Sequence, residues 1–286
     1  MRLANLAGGG LAALSEGRLV ELGPALGEEL ASVDDLVRAG PDGWATARAA
    51  VAAASEQSPG ELGAGALAAA LLRPSKVICV GLNYVDHAAE VQLARPAQPL
   101  LFAKLPSSIA APGQPIEWPA GLTEKVDWEG ELAVVVGRTL READPATALD
   151  AVFGYSAAND VTARDLQFGD GQWTRGKGLD GFCPLGPVVV TADEIADPQA
   201  LTLTTRLNGE VVQQASTASM IFSVAEVLSF CSHAFTLFPG DVVLTGTPAG
   251  VGVARTPSLF LGAGDLIEVE IDAIGTLSNP VAGPRP

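Results

Sequence analysis

Trp128-Glu129-Gly130-Glu131-Leu132-Ala133-Val134-Val135-Val136 is the stretch on which the reading of this chain turns. The apolar run from Leu132 has the length of a strand and no polar alternation, the pattern of a strand covered on both faces. Directly ahead of it stand two carboxylates at i and i+2. In a strand such side chains leave the same face, and Gly130 between them adds no bulk to the other. Neighbouring carboxylates repel, and burying them unpaired costs several kcal/mol. A cation, a proton or basic partners must compensate. From spacing alone, a solvated strand end accounts for Glu129 and Glu131 equally well.

A third carboxylate changes the balance. Asp160 follows Phe153–Ala158, a second strand-like run, and Arg164 stands four residues on. Glu129, Glu131 and Asp160, with no Cys or His among them, make a hard all-oxygen donor set. It suits Mg²⁺ or Mn²⁺ better than Zn²⁺, and Ca²⁺ is a further occupant that a crystal could hold. Close behind, Gln167 to Pro187 is rich in glycine and reads as a loop carrying Arg175 and Lys177. A lysine flanked by glycines is ordinarily a solvated charge; its functional reading is a cation for an enolate or a carboxylate.

The chain has 2 histidines. His87 and Glu90 share one face of a helical turn, and a carboxylate beside an imidazole orients it as a base. A surface ion pair explains the same spacing. His233 lies in an apolar helical segment and reads as structural. Thr245-Gly246-Thr247-Pro248-Ala249-Gly250 follows a strand; its backbone N–H groups and the Thr247 hydroxyl could cradle an anion, or it is an ordinary turn.

Composition narrows the function classes. The formal net charge is -16, from 33 acidic and 17 basic residues, and there is no basic run. Phosphate backbones and anionic lipid are repelled, so neither a nucleic acid nor a membrane partner is expected. The 3 cysteines, Cys79, Cys183 and Cys231, are isolated and read as small buried residues in a reducing compartment. No apolar stretch reaches the roughly 20 residues that a membrane helix needs. The expected setting is cytoplasmic.

Residues 1–72, rich in Ala, Leu and Gly, form an expected small accessory α/β subdomain, and 73–286 the catalytic domain. In the first, Leu11–Leu14 and Leu19–Leu22 flank a turn and predict a hairpin; Ser32–Ala39 and Trp44–Ala54 predict helices separated by Gly40-Pro41-Asp42-Gly43. In the second, strands are expected at Lys76–Gly81, Leu201–Asn208, Glu210–Gln214, Val242–Thr245 and Asp265–Ile274. Asn208-Gly209 is expected to turn a tight hairpin. Helices are expected from Asp144 through Val152 and over Ser223–Phe235. The last residues, Gly283 to Pro286, are expected to fray. Short strands with scattered helices indicate α+β rather than a βαβ succession.

Taken in order, GLNYVDHAAE, LLFAKLPSSI, DWEGELAVVVG, NDVTARDLQ, WTRGKGLDGFCPLGP and TGTPAGVG resemble the fumarylacetoacetate hydrolase family over roughly residues 75 to 275. The resemblance implies a β-rich roll with a mixed sheet, usually a homodimer. It places the metal carboxylates on Glu129, Glu131 and Asp160, the dyad on His87 and Glu90, and the active-site lysine on Lys177. Substrate contacts fall on Arg164, Gln167, Thr247 and Tyr84. The implied activity is metal-dependent hydrolysis of a C–C bond in a 2,4-dioxo acid of the acylpyruvate type. Its alternatives are a decarboxylase acting on oxaloacetate-like acids and an isomerase or hydratase of dienoic diacids from aromatic breakdown. A metal-stabilised binding protein without turnover is the remote one. In every enzymatic version the partner is a small anionic 2-oxo acid.

Overall fold

A computed structural model describes residues 1–15, 18–54 and 66–286. The architecture is α+β, built on mixed sheets. The largest has ten strands, and Gly130–Val136 lies inside it, every residue buried. Antiparallel neighbours flank that strand: Val152–Asn159 on one side, Val242–Leu244 on the other. Its side chains divide by parity. Leu132, Val134 and Val136 enter one core, with Tyr155, Val188 and Val269. Ala133 and Val135 enter a second, with Leu3, Leu36 and Val189. An unbroken apolar run is what a strand between two cores requires.

The sheet continues from Val242–Leu244 to Val77–Gly81 in parallel, and then to Leu100–Lys104. On the far side, Val152–Asn159 pairs with Cys183–Thr191, which pairs with Arg2–Asn5. The predicted hairpin, Leu11–Ser15 with Arg18–Glu21, extends the sheet from there; its turn residues 16 and 17 lie outside the described residues. Strands from both sides of residue 72 thus share one sheet. A second sheet of five strands runs Glu210–Ser216, Thr202–Leu207, Leu266–Ile271, Gly275–Arg285, Ile116–Pro119. It lays Leu203, Val269 and Ile271 on the first core.

Local patterns hold at several points. Asn208 and Gly209 both have positive φ, 53° and 84°, as a two-residue hairpin turn requires. The helix Val33–Ala54 is broken at Gly40, the first residue of the expected separator. Ser223 and Glu226 form a capping box at the start of the helix Val224–Ala234.

Three expectations are corrected. The helix after Asp144 covers only Pro145–Ala148, passes through one 3₁₀ turn, and gives way to strand at Val152. The chain end does not fray: Gly275–Arg285 is a strand, and its last residues run parallel to Ile116–Pro119. The Gln167–Pro187 segment is not a loop. The helices Arg164–Asp170 and Thr174–Lys177 and the strand Cys183–Thr191 occupy most of it. Gly176 there serves contact rather than freedom: a Cβ on it would lie 2.7 Å from the Gln167 nitrogen and 2.9 Å from the Ala163 oxygen. No helix among the described residues is long and apolar enough to cross a membrane.

Candidate active site

Strand register assembles the acidic cluster. Asn159 lies opposite Gly130, and the Asp160 N–H donates to the Glu129 carbonyl at 2.8 Å. The residue after one strand is thereby placed beside the carboxylates opening its neighbour. Glu129, Glu131 and Asp160 are all buried, with one oxygen of each within 4.8 Å of the others.

Basic groups answer two of the three. Lys177 Nζ lies 2.7 Å from Glu129 Oε2 and 2.8 Å from Asp160 Oδ2. Lys104 Nζ donates to Asp160 Oδ1 at 2.5 Å. Arg164 Nη1 lies 2.6 Å from Glu129 Oε1. Burial works against the Glu129 charge, but Lys177 and Arg164 outweigh it and hold that carboxyl down at about 2. Glu131 has no such partner. Its Oε2 accepts from the Gly246 N–H at 2.6 Å, and burial, then Asp160 and Glu129, push its carboxyl well above the ordinary range. Burial also works against the Lys177 charge, but Asp160 and Glu129 raise its ammonium above the usual value.

The donor set fits a divalent cation. Every available ligand atom is a carboxylate oxygen, the chemistry that Mg²⁺ and Mn²⁺ select. Glu131, buried and without a basic partner, is the charge such an ion would compensate.

The dyad is formed. The helix Val85–Glu90 follows the Val77–Gly81 strand and sets His87 Nδ1 2.8 Å from Glu90 Oε2. Glu90 Oε1 accepts from the Gly250 N–H at 2.8 Å, tying the dyad to the turn that carries Thr247. His87, Glu129, Arg164, Gln167, Lys177 and Thr247 line one cavity of about 370 Å³. Lys177, a solvated charge on its sequence context, is only 2% exposed.

Two assigned contacts sit differently. The Thr247 hydroxyl already donates to the Gly130 carbonyl at 2.9 Å and accepts from Gln213 Nε2 at 2.8 Å. Its donor holds the carboxylate strand. Tyr84 is fully buried in the first core and is not among the cavity's lining residues. Its hydroxyl has no partner; burial and the nearby Glu131 push its phenol upward.

Sequence reasoning passed over Lys104, Asp127 and Gln213. Asp127 is fully buried and receives Arg164 Nε at 2.8 Å. Its signal was its place two residues before Glu129, on the same parity as the pair. Lys104 closes an otherwise apolar strand, a weaker signal. Gln213 takes the Gly130 N–H on its Oε1, and nothing local marks it.

Comparison with known proteins bears on the family and the fold. The family model for the fumarylacetoacetate (FAA) hydrolase C-terminal domain matches residues 76–282. The mitochondrial oxaloacetate tautomerase fahd2 of Xenopus laevis is 47% identical over 217 residues, 75% of this chain and 68% of that protein. Fumarylacetoacetate hydrolase from psychrophilic Exiguobacterium antarcticum superposes with a TM-score of 0.85 at 40% identity, covering 100% of both chains. Maleylpyruvate hydrolase from Sphingobium sp. SYK-6, solved with manganese(II) and pyruvate, gives 0.85 at 29% identity, also over 100% of both.

Proposed function

The chain belongs to the fumarylacetoacetate hydrolase family, and we propose that within it the protein is a divalent-metal-dependent hydrolase of 2,4-dioxo acids. It cleaves the C3–C4 bond and releases pyruvate or a related 2-oxo acid together with a carboxylic acid. The observation that carries this reading is that His87, 2.8 Å from Glu90, lines the same cavity as Glu129, one of the three clustered buried carboxylates.

A Mg²⁺ or Mn²⁺ ion held by Glu129, Glu131 and Asp160 would supply Lewis-acid stabilisation of the enolate charge. The side chains account for the rest. Glu90 accepts a hydrogen bond from His87 Nδ1–H, which leaves Nε2 free to take a proton from water. The water oxygen bonds to C4, the C3–C4 bond breaks, and its electron pair passes into the enolate of the 2-oxo product. The proton on His87 returns to C3, and the acyl half leaves as the carboxylic acid. Arg164 Nη2 is buried without a partner, which suits it to the substrate carboxylate beside Gln167. Lys177 adds fixed positive charge where the enolate oxygen develops. The reading includes a homodimer, which sedimentation would test.

A second reading, keto–enol tautomerisation of oxaloacetate, is supported by the name of the 47%-identical relative. There His87 would move a proton at C3 and no bond between carbons would break. Products separate the two. Incubation with acylpyruvates and with oxaloacetate, in Mn²⁺ or Mg²⁺, should give pyruvate and carboxylic acid in equal amounts from the former. His87→Ala should slow that release by about 10²–10⁴. Enol decay without pyruvate release would replace the first reading with the second; carbon dioxide from oxaloacetate would point to decarboxylation.

A further inference from the structure

The cavity has two chemically distinct ends. Glu129, Arg164 and Lys177, at its floor, are between 2% and 6% exposed. The mouth is made by Leu93, Leu100 and Phe168, which are 61%, 49% and 66% exposed. Phe102 joins the two ends. Lys177 Nζ sits 5.0 Å from its ring centre, and the ring meets Trp173 edge-on at 5.3 Å. Trp173 is seated directly on backbone: a Cβ on Gly81 would lie 2.8 Å from the indole. This wall is built, and it is apolar.

Among the described residues, no Lys or Arg side chain lines that outer half. The basic side chains lining the cavity are His87, Arg164 and Lys177. Glu90, Asp127, Glu129 and Asp160 engage them at the floor. A carboxylate carried to the far end of a substrate would meet no opposite charge among the described lining residues and would gain nothing from the apolar wall. An alkyl or aryl group there would leave water against Leu100, Phe102 and Trp173, which is favourable.

We infer that the physiological substrate is a 2-oxo acid whose far end is apolar and uncharged, an acylpyruvate with an aliphatic or aromatic acyl group rather than a dicarboxylate. The inference rests on the 2-oxo acid chemistry proposed above and specifies its acyl half. Trp173, Phe102 and Leu100 determine that specificity.

Binding of non-cleavable probes tests it without turnover. The full chain loaded with Mn²⁺ is titrated calorimetrically with pyruvate, 2-oxohexanoate and 2-oxoadipate; the last two differ only in a terminal methyl or carboxylate. 2-Oxohexanoate should bind at least about tenfold more tightly than 2-oxoadipate, a difference of about 1.4 kcal/mol. Trp173→Ala should lower the ratio of 2-oxohexanoate to pyruvate affinity several-fold. Leu93→Lys, at an exposed position, should shift preference towards 2-oxoadipate. Equal or tighter binding of 2-oxoadipate by the unaltered protein, with pyruvate bound, overturns the inference and leaves the 2-oxo acid reading standing. Failure of pyruvate itself to bind overturns both.

Discussion

Arg164 donates Nε to Asp127 Oδ2 at 2.8 Å while its Nη1 lies 2.6 Å from Glu129, so one guanidinium links the acidic site to a carboxylate outside it. Asp127 also accepts the N–H groups of Trp128, Gly252 and Val253, at 2.9, 2.7 and 2.9 Å. Both of its oxygens therefore face donors. In Asp127→Asn one oxygen becomes an NH₂ that confronts two of those donors, and Arg164 loses one of its two buried counter-charges. The variant should lose about 3 kcal/mol of stability, read as a lower denaturant midpoint. The KM for a 2-oxo acid should rise as Arg164 loosens. A variant with unchanged midpoint and KM would show that Asp127 positions nothing.

Lys177 bridges Glu129 and Asp160, so its removal separates metal binding from catalysis. Lys177→Met deletes a cation that a divalent ion must approach, and Mn²⁺ should bind at least as tightly as in the unaltered protein. Without metal the carboxylates keep Lys104 and Arg164 but lose the shared Lys177 charge, and the variant should melt earlier; added Mn²⁺ should then raise its Tm by more than it raises that of the parent. Turnover should fall by about 10²-fold even when saturated with metal, through lost electrostatic stabilisation. Full turnover in the variant would remove Lys177 from the chemistry.

The parts of the site that were legible are those in which a short period carries the information. Glu129 and Glu131 follow strand parity, and His87 and Glu90 follow helical spacing; one member of each pair, Glu129 and His87, lines the cavity. Turn chemistry placed Asn208-Gly209. What was hidden depends on partners far along the chain. Arg2–Asn5 finds its neighbour in Cys183–Thr191, a register that no local pattern encodes. Glycine misled around Gly176 because the same residue type serves free loops and close backbone contact. The Gly275–Arg285 strand carries glycine and proline at its end and is held by pairing rather than propensity.

Asp165 gives the stability a defined pH dependence. Its Oδ1 accepts from Thr123 Oγ1 at 2.6 Å and from the Leu166 N–H at 3.0 Å, and its Oδ2 from the Glu124 N–H at 3.2 Å. Slight burial pushes its carboxyl up, but those donors prevail and hold it below its ordinary value of 3.8. A depressed carboxyl contributes stability that is fully present above 3.8 and is lost as pH falls through the lower folded value. Asp165→Asn cannot titrate. It should be less stable than the parent at pH 7, by only about 0.5 kcal/mol because solvent screens the site. The gap should close in urea melts taken well below pH 3.8. A gap independent of pH would assign the effect to shape rather than charge.

Gly176 stands where two short helices touch, and the contact is backbone to backbone. In Gly176→Ala the new methyl would press on the Gln167 nitrogen and the Ala163 oxygen, at 2.7 and 2.9 Å, neither of which can swing aside. The helices Arg164–Asp170 and Thr174–Lys177 must then separate by a few tenths of an ångström. Overpacking of this kind costs about 1–3 kcal/mol, and the strain falls on the segment that aims Arg164, Gln167 and Lys177 at the cavity. Affinity for pyruvate in the Mn²⁺-loaded protein should therefore fall along with stability. Gly169→Ala is the control: no atom lies within 4 Å of the added carbon, so both quantities should stay near those of the parent. If Gly176→Ala matched that control, the two helices would not be in the contact described.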